Sequence, residues 1–202
     1  MDALVMAGGK GSRLNRGEKP LVRLFGRPLI EFVVSCLTDS LAVSEGRILV
    51  ATTNNVPLTS RWARERELEV VETAGKGFVP DMVEAINQAG VKEPILVIMA
   101  DLPLVTPDLI DQIIEIYDQR PEPALSTHTP LHLHTRMGRR PDTLFNYQGQ
   151  LIVPSGINIL EGANIRDEQE DYHLIMERIE LALNVNVAED LKLCELIMQG
   201  DL

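Results

Sequence analysis

Over its first half the chain repeats one unit: a short run of mostly apolar residues, then a stretch with apolar side chains at helical spacing. The runs are 3–6 (ALVM), 47–51 (RILVA), 68–71 (LEVV) and 94–99 (PILVIM). The helical stretches are 27–40, 59–67, 80–89 and one that starts at Thr106 and continues to about Gln119. In the first of these, Leu29, Ile30, Val33, Val34 and Leu37 share one helical face. Thr106 and Pro107 supply an N-cap and a first-turn proline. Strands that are apolar throughout, rather than alternating, are buried on both faces. The pattern therefore predicts an α/β fold: a Rossmann-like, mostly parallel sheet with helices on both faces and right-handed crossovers.

At 202 residues, 45% hydrophobic and 24% charged, the chain reads as one domain, 1–202, with enough apolar residues for one core. The rhythm breaks at Pro121. Residues 121–150 hold four of the twelve prolines and three of the four histidines, and are expected to form an excursion. Within it we expect a strand from Ala124 and then an ordered loop. The core resumes through 151–160, 179–185 and a last helix, 187–198.

Nineteen basic residues stand against thirty acidic ones, for a net charge of −11. That balance argues against nucleic-acid partners and anionic membranes, which need cationic patches. No stretch approaches about 18 apolar residues, so no membrane span is expected. The N-terminal apolar run is too short for a signal peptide. Cys36 and Cys194 are the only cysteines and form no CxxC, so neither a zinc site nor a disulfide framework is signalled. The expected location is cytoplasmic.

The chemistry concentrates just after the first strand. Met6-Ala7-Gly8-Gly9-Lys10-Gly11-Ser12-Arg13-Leu14 is followed by Glu18-Lys19-Pro20-Leu21. In open α/β sheets, ligands bind at this carboxyl edge. The glycines let backbone N–H groups approach a phosphate. Lys10, Arg13 and Lys19 bring three cations within ten residues of an otherwise acidic chain. They can neutralise a triphosphate and the charge that develops on its leaving group. The spacing is neither that of a Walker A loop nor GxGxxG. Asp101 ends the fourth strand and so faces the same edge.

These residues resemble a known group. The strand–[LM]-A-G-G-x-G-[ST]-R-[LM] pattern with a following K-P-L is similar to that of the sugar-nucleotide pyrophosphorylase-like nucleotidyltransferases, which share the nucleotide-diphospho-sugar transferase-like fold. Four stretches resemble the archaeal GTP:adenosylcobinamide-phosphate guanylyltransferase family more narrowly. They are MDALVMAGGKGSRL with EKPLVRLFGRPLIEFVV; Gly75-Lys76-Gly77-Phe78; Val153-Pro154-Ser155-Gly156-Ile157-Asn158; and Leu183-Asn184-Val185-Asn186 before Ala188-Glu189-Asp190-Leu191. The resemblance runs from Met1 to about Met198 and is weakest over 128–147.

The resemblance implies transfer of GMP from GTP to adenosylcobinamide phosphate, with release of pyrophosphate. It makes Ala7, Gly8, Gly9, Lys10, Gly11, Ser12, Arg13, Lys19, Gly156 and Asn186 nucleotide-binding, with Arg13, Lys19 and Asp101 catalytic. Asp101 and Asn186 would hold Mg²⁺, which usually takes only one or two protein oxygens. A molybdopterin guanylyltransferase, or another nucleotidyltransferase of small-molecule phosphates, is the alternative within the group. A non-catalytic nucleotide-binding module is the alternative outside it. The expected partners are GTP and a phosphorylated cobinamide; whether the chain forms a homodimer stays open.

Several residues have a plainer reading beside a functional one. Asn184 and Asn186, two apart on an extended segment, would share a face, and Asn186 can also cap the last helix. Gly156 is either a ligand approach or a strand-start glycine. Gly75-Lys76-Gly77 carries base or acceptor contacts or is a surface turn. Arg136, Arg139 and Arg140 meet the acceptor's phosphate or sit at the surface. His128, His132 and His134 would share one strand face, solvated or facing substrate rather than binding metal. Trp62 is expected to pack in the core. No nucleophile elbow is present, so hydrolysis has no support.

Overall fold

The computed structural model describes residues 1–14 and 16–201. β1 (Asp2–Met6) runs into the glycine loop, and a small ribbon, β2 (Arg23–Leu24) with β3 (Arg27–Pro28), leads to α1 (Leu29–Asp39). Next come β4 (Ile48–Thr53), α2 (Pro57–Arg64), β5 (Glu69–Thr73), α3 (Phe78–Ala89), β6 (Pro94–Met99) and α4 (Pro107–Asp118). The second half holds β7 (Ala124–Pro130), α5 (Leu131–Arg136), β8 (Phe145–Tyr147), β9 (Gln150–Glu161), β10 (Asp171–Ile175), α6 (Ile179–Ala182) and α7 (Ala188–Gln199).

The strands form an eight-stranded sheet in the order β10-β7-β9-β6-β1-β4-β5, with β8 paired to β9. β1 lies parallel to both neighbours, Val5 facing Val50 on β4 and Ile98 on β6. β9 runs antiparallel to β6 and to β7, while β7 and β10 are parallel. The sheet is therefore mostly parallel, as the apolar runs predict.

Alternation along β1 divides the core. Ala3, Val5 and Ala7 face Ile30 and Val33 of α1 and Ile110 and Ile113 of α4, in a cluster that also buries Trp62. Leu4 and Met6 face Met82, Ala85 and Ile86 of α3. A third cluster joins Leu14, Val22 and Leu24 to Leu183, Val185, Leu191 and Cys194. It seats the C-terminal segment against the chain just after the glycine loop.

The strand expected from Ala124 is present as β7, and it lies inside the main sheet, between β10 and β9; α5 and β8 then stand where an ordered loop was expected. Several of the buried residues of β7 are polar. Thr127 Oγ1 donates to the Ile157 carbonyl at 2.8 Å, and Thr129 Oγ1 pairs with His134 Nε2 at 2.8 Å. Hydrogen-bonded pairs of this kind can be buried at little net cost. Residues 179–185 are not one segment: α6 ends at Ala182 and an extended stretch succeeds it.

Chain order places the site. From β1 the chain moves to β4 on one side, while β6 comes back on the other. The connections that leave the carboxyl ends of β1 and β6 run to opposite sides of the sheet, and open α/β sheets hold ligands at such a point.

Candidate active site

The last rung of β1 is the Ala7 amide donating to Ala51 O at 2.9 Å. The loop then folds back on itself. Gly9 O accepts from Lys19 N at 3.2 Å, and Gly11 O from Leu14 N at 2.9 Å. Gly11 has φ +66°, and a Cβ there would lie 3.1 Å from the Lys19 Cα, so glycine meets both demands. Among the described residues, no backbone carbonyl accepts from the amides of Gly8, Gly9, Lys10 or Gly11. Lys10 and Ser12 are exposed.

Glu18 anchors the chain beyond the loop. Its carboxylate accepts from Leu58 N at 2.8 Å and from Thr59 N and Oγ1, both at 2.6 Å. It caps α2 from outside the helix, where a carboxylate also suits the helix dipole. Lys19 is thereby held at the start of a short 3₁₀ turn with Pro20 buried behind it.

The Lys19 ammonium donates to Asp101 Oδ2 and, at 2.7 Å, to Asn186 Oδ1. Asp101 is 3% exposed, and its other oxygen, Oδ1, is buried with no hydrogen-bond partner. Its backbone carbonyl accepts from Val185 N at 2.9 Å, tying the C-terminal segment to the end of β6. A cleft of about 50 Å³ lies at this junction, lined by Gly9, Lys19, Met99 and Asp101 among others.

Asn186 reaches the junction because its backbone is held elsewhere. Asp190 Oδ2 accepts from the amides of Asn186 (2.7 Å) and Val187 (2.9 Å), so Asp190 rather than Asn186 caps α7. The Arg139 guanidinium pairs with Asp190 Oδ1 at 3.0 Å. It also donates to the carbonyls of Ala182 and Asn184, and at 3.1 Å to Asn184 Oδ1. Asn184 and Asn186 therefore have different partners, and Arg139 is a partly buried clamp rather than a free surface cation. Arg136 and Arg140 are exposed.

Arg13 lies apart from the junction, in an exposed ion pair with Asp142 at 3.0 Å. Gly156 has φ +87° at a register shift between β7 and β9, and a Cβ there would meet Met99 Cγ at 2.7 Å. It thus supports a wall of the cleft from behind. The amides of Gly75, Lys76 and Gly77 converge on buried Asp81. A Cβ on Gly75 would lie 3.6 Å from Thr53, and one on Gly8 would lie 2.9 Å from the same side chain. The turn therefore adjoins the glycine loop.

The three histidines do not share a strand face. His128 is on β7, ring to ring with His173 at 5.0 Å, while His132 and His134 are on α5. Burial, with Arg139 nearby, pushes His134 down to about 4. Burial pushes Cys36 and Cys194 up to about 12, so neither is a thiolate at neutral pH. Sequence reading gives no role to Glu18, Asp81 or Asp190, and it names Arg139 without its role as a clamp. Glu18 and Asp190 stand one and four places from Lys19 and Asn186, and Asp81 six from Gly75; Arg139 has no such signal.

An amide-lined loop and a withdrawn lysine–carboxylate pair, set at the carboxyl ends of β1 and β6, mark this protein as a nucleotidyltransferase. The chain belongs to the MobA-like NTP transferase family, whose model matches residues 3–144. It is 33% identical to the adenosylcobinamide-phosphate guanylyltransferase of Methanocaldococcus jannaschii, over 100% of this chain and 99% of that one. It is 27% identical to the molybdenum cofactor guanylyltransferase of Shewanella sediminis, over 56% of this chain and 55% of the other. Among solved structures, CMP:2-keto-3-deoxy-manno-octonic acid synthetase complexed with CTP matches with TM-score 0.74 at 14% identity. That match covers 100% of this chain and 99% of the synthetase, and shows the fold.

Proposed function

We infer that the protein transfers GMP from GTP to adenosylcobinamide phosphate, giving adenosylcobinamide-GDP and pyrophosphate. One observation carries the reading: the likeness to the jannaschii enzyme runs the whole length of the chain, including the C-terminal segment that delivers Asn186. The likeness to the molybdenum cofactor enzyme covers 56% of the chain, so that alternative is the weaker one.

In this reading the amides of Gly8–Gly11 cradle the triphosphate, and Lys19 offsets its charge. Arg13 joins them by leaving Asp142. An ion pair so exposed is worth about 0–1 kcal/mol and exchanges readily for a polyphosphate. The acceptor's phosphate oxygen attacks the α-phosphorus and pyrophosphate leaves. A phosphate monoester is largely ionised at neutral pH, so no side chain has to remove a proton. Catalysis reduces to positioning and charge neutralisation.

The donor set fits Mg²⁺. Asp101 Oδ1 is buried and unpartnered, and Asp101 Oδ2 and Asn186 Oδ1 already converge on one cationic group, the Lys19 ammonium. Hard oxygens with a single negative charge suit this ion, which fills its other positions with phosphates and waters. Bound there, Mg²⁺ would supply electrostatic stabilisation across the phosphates. No described helix is long and apolar enough to cross a membrane; action in the cytoplasm is part of this proposal.

The test is transfer of label from α-labelled GTP to adenosylcobinamide phosphate, with molybdopterin and CTP as controls. Labelled corrinoid is the expected product. Transfer to molybdopterin alone, or equal use of CTP, would overturn the reading.

A further inference from the structure

We propose that a second cavity, between α5, α6, α7 and β9, is the acceptor's binding site. It would take the phosphate-bearing arm and one edge of an amide-fringed macrocycle. The inference rests on the transfer reading above and adds where the acceptor sits. The cavity holds about 710 Å³, within the usual size range of small-molecule sites. The cleft at Lys19 and Asp101, at about 50 Å³, has room for an ion or a phosphate oxygen but not for an acceptor.

Position comes first. Asn186 lines the large cavity and accepts from Lys19, which lines the small one, so this residue links the two. Arg13, from the far end of the glycine loop, lines the same cavity. A molecule lodged there adjoins the triphosphate's expected place without occupying it.

The chemistry of the walls comes second. Val153, Leu181 and Leu196 give the cavity an apolar side. Arg140 and Lys192 stand exposed on its rim and, among the described residues, neither joins an ion pair with a carboxylate. Of the carboxylates present, Asp190 is spent on Arg139, while Glu189 and Asp142, the latter released when Arg13 turns to the triphosphate, are both exposed to solvent. Two unspent cations in a chain of net charge −11 form a local site for a phosphate dianion. The apolar wall suits a macrocycle edge, whose remaining bulk stays in solvent.

The experiment compares wild type with two variants: Arg140→Glu combined with Lys192→Glu, and Leu196→Trp, which fills the cavity. The expected result is an acceptor KM raised about tenfold or more in both, with the GTP KM changed less than about twofold. The thermal shift produced by GTP should persist in both, which certifies the fold. An unchanged acceptor KM, with wild type still transferring GMP, overturns the cavity assignment and leaves the transfer reading intact. Equal rises in the two KM values also overturn it, since the cavity would then belong to the nucleotide. No transfer by wild type to the corrinoid removes the reading itself and the assignment with it.

Discussion

Arg139 Nε and Asp190 Oδ1 lie 3.0 Å apart, with side chains only 15% and 7% exposed. Through this pair the Asn186 side chain is carried to Lys19. Asp190 holds the Asn186 amide, and Arg139 holds Asp190 together with the carbonyls on either side of Leu183. Removing one partner of such a pair leaves a buried charge uncompensated, at a cost of about 3–5 kcal/mol.

Arg139→Ala should therefore lose stability on that scale, read as a lower urea midpoint, and should slow single-turnover GMP transfer. Arg139→Lys restores the charge but not the fork that serves four acceptor atoms, so it should recover only part of the loss. The Arg139→Ala, Asp190→Asn double variant should cost less than the sum of the singles. Strict additivity would show that the two residues do not act as one clamp.

Lys19 and Asp101 separate binding from turnover. Lys19→Ala removes a cation from the triphosphate's place and should weaken GTP about tenfold while changing GMP affinity much less. Calorimetric titration of both ligands checks this, and equal losses would mark Lys19 as structural. Asp101→Asn keeps an acceptor for Lys19 but removes the charge. It should lower turnover about a hundredfold with a smaller effect on GTP affinity. Full activity at saturating Mg²⁺ would remove Asp101 from metal binding.

Much of this architecture can be read from the residue pattern. The 94–99 run coincides with β6, and Thr106 caps α4 through the Leu109 amide as its type and position suggest. Such signals are local. What stays hidden depends on partners far along the chain. Arg139 reads as one arginine in a basic run, because the groups it binds lie at 182, 184 and 190. A strand from Ala124 can be read, but its place inside the sheet cannot, because Thr127 and Thr129 are polar and find their partners only in β9 and α5. Glu18 looks like a solvated acid until α2, some forty residues on, presents its N–H groups.

Gly8 offers a test with a built-in rescue. A Cβ added there would sit 2.9 Å from Thr53 Cγ2, closer than real Cβ contacts allow. Gly8→Ala should push the loop away from β4 and weaken GTP binding, with little change in global stability because the loop lies outside the core clusters. Thr53→Ser removes the offending methyl and keeps the hydroxyl that accepts from Asn55 N. The double variant should regain most of the GTP affinity. If it does not, the backbone at Gly8 rather than its contact with Thr53 governs binding.

Stability should fall on mild acidification, and His134 is the main reason. Burial, aided by the Arg139 charge, holds it neutral down to about pH 4, whereas the unfolded chain protonates this group near 6.5. Between those values the unfolded state binds a proton that the folded state refuses. The free energy of unfolding must then drop as pH falls, by at most about 1.4 kcal/mol per unit for this one group. His128, also lowered by burial, acts in the same direction. The contribution is fully present above about pH 6.5 and lost as pH falls toward about 4. Urea midpoints measured at pH 7, 6 and 5 should decline, and His134→Gln, which can still bond to Thr129, should flatten that decline. A midpoint that stays level from 7 to 5 would mean that His134 takes up its proton without unfolding the protein.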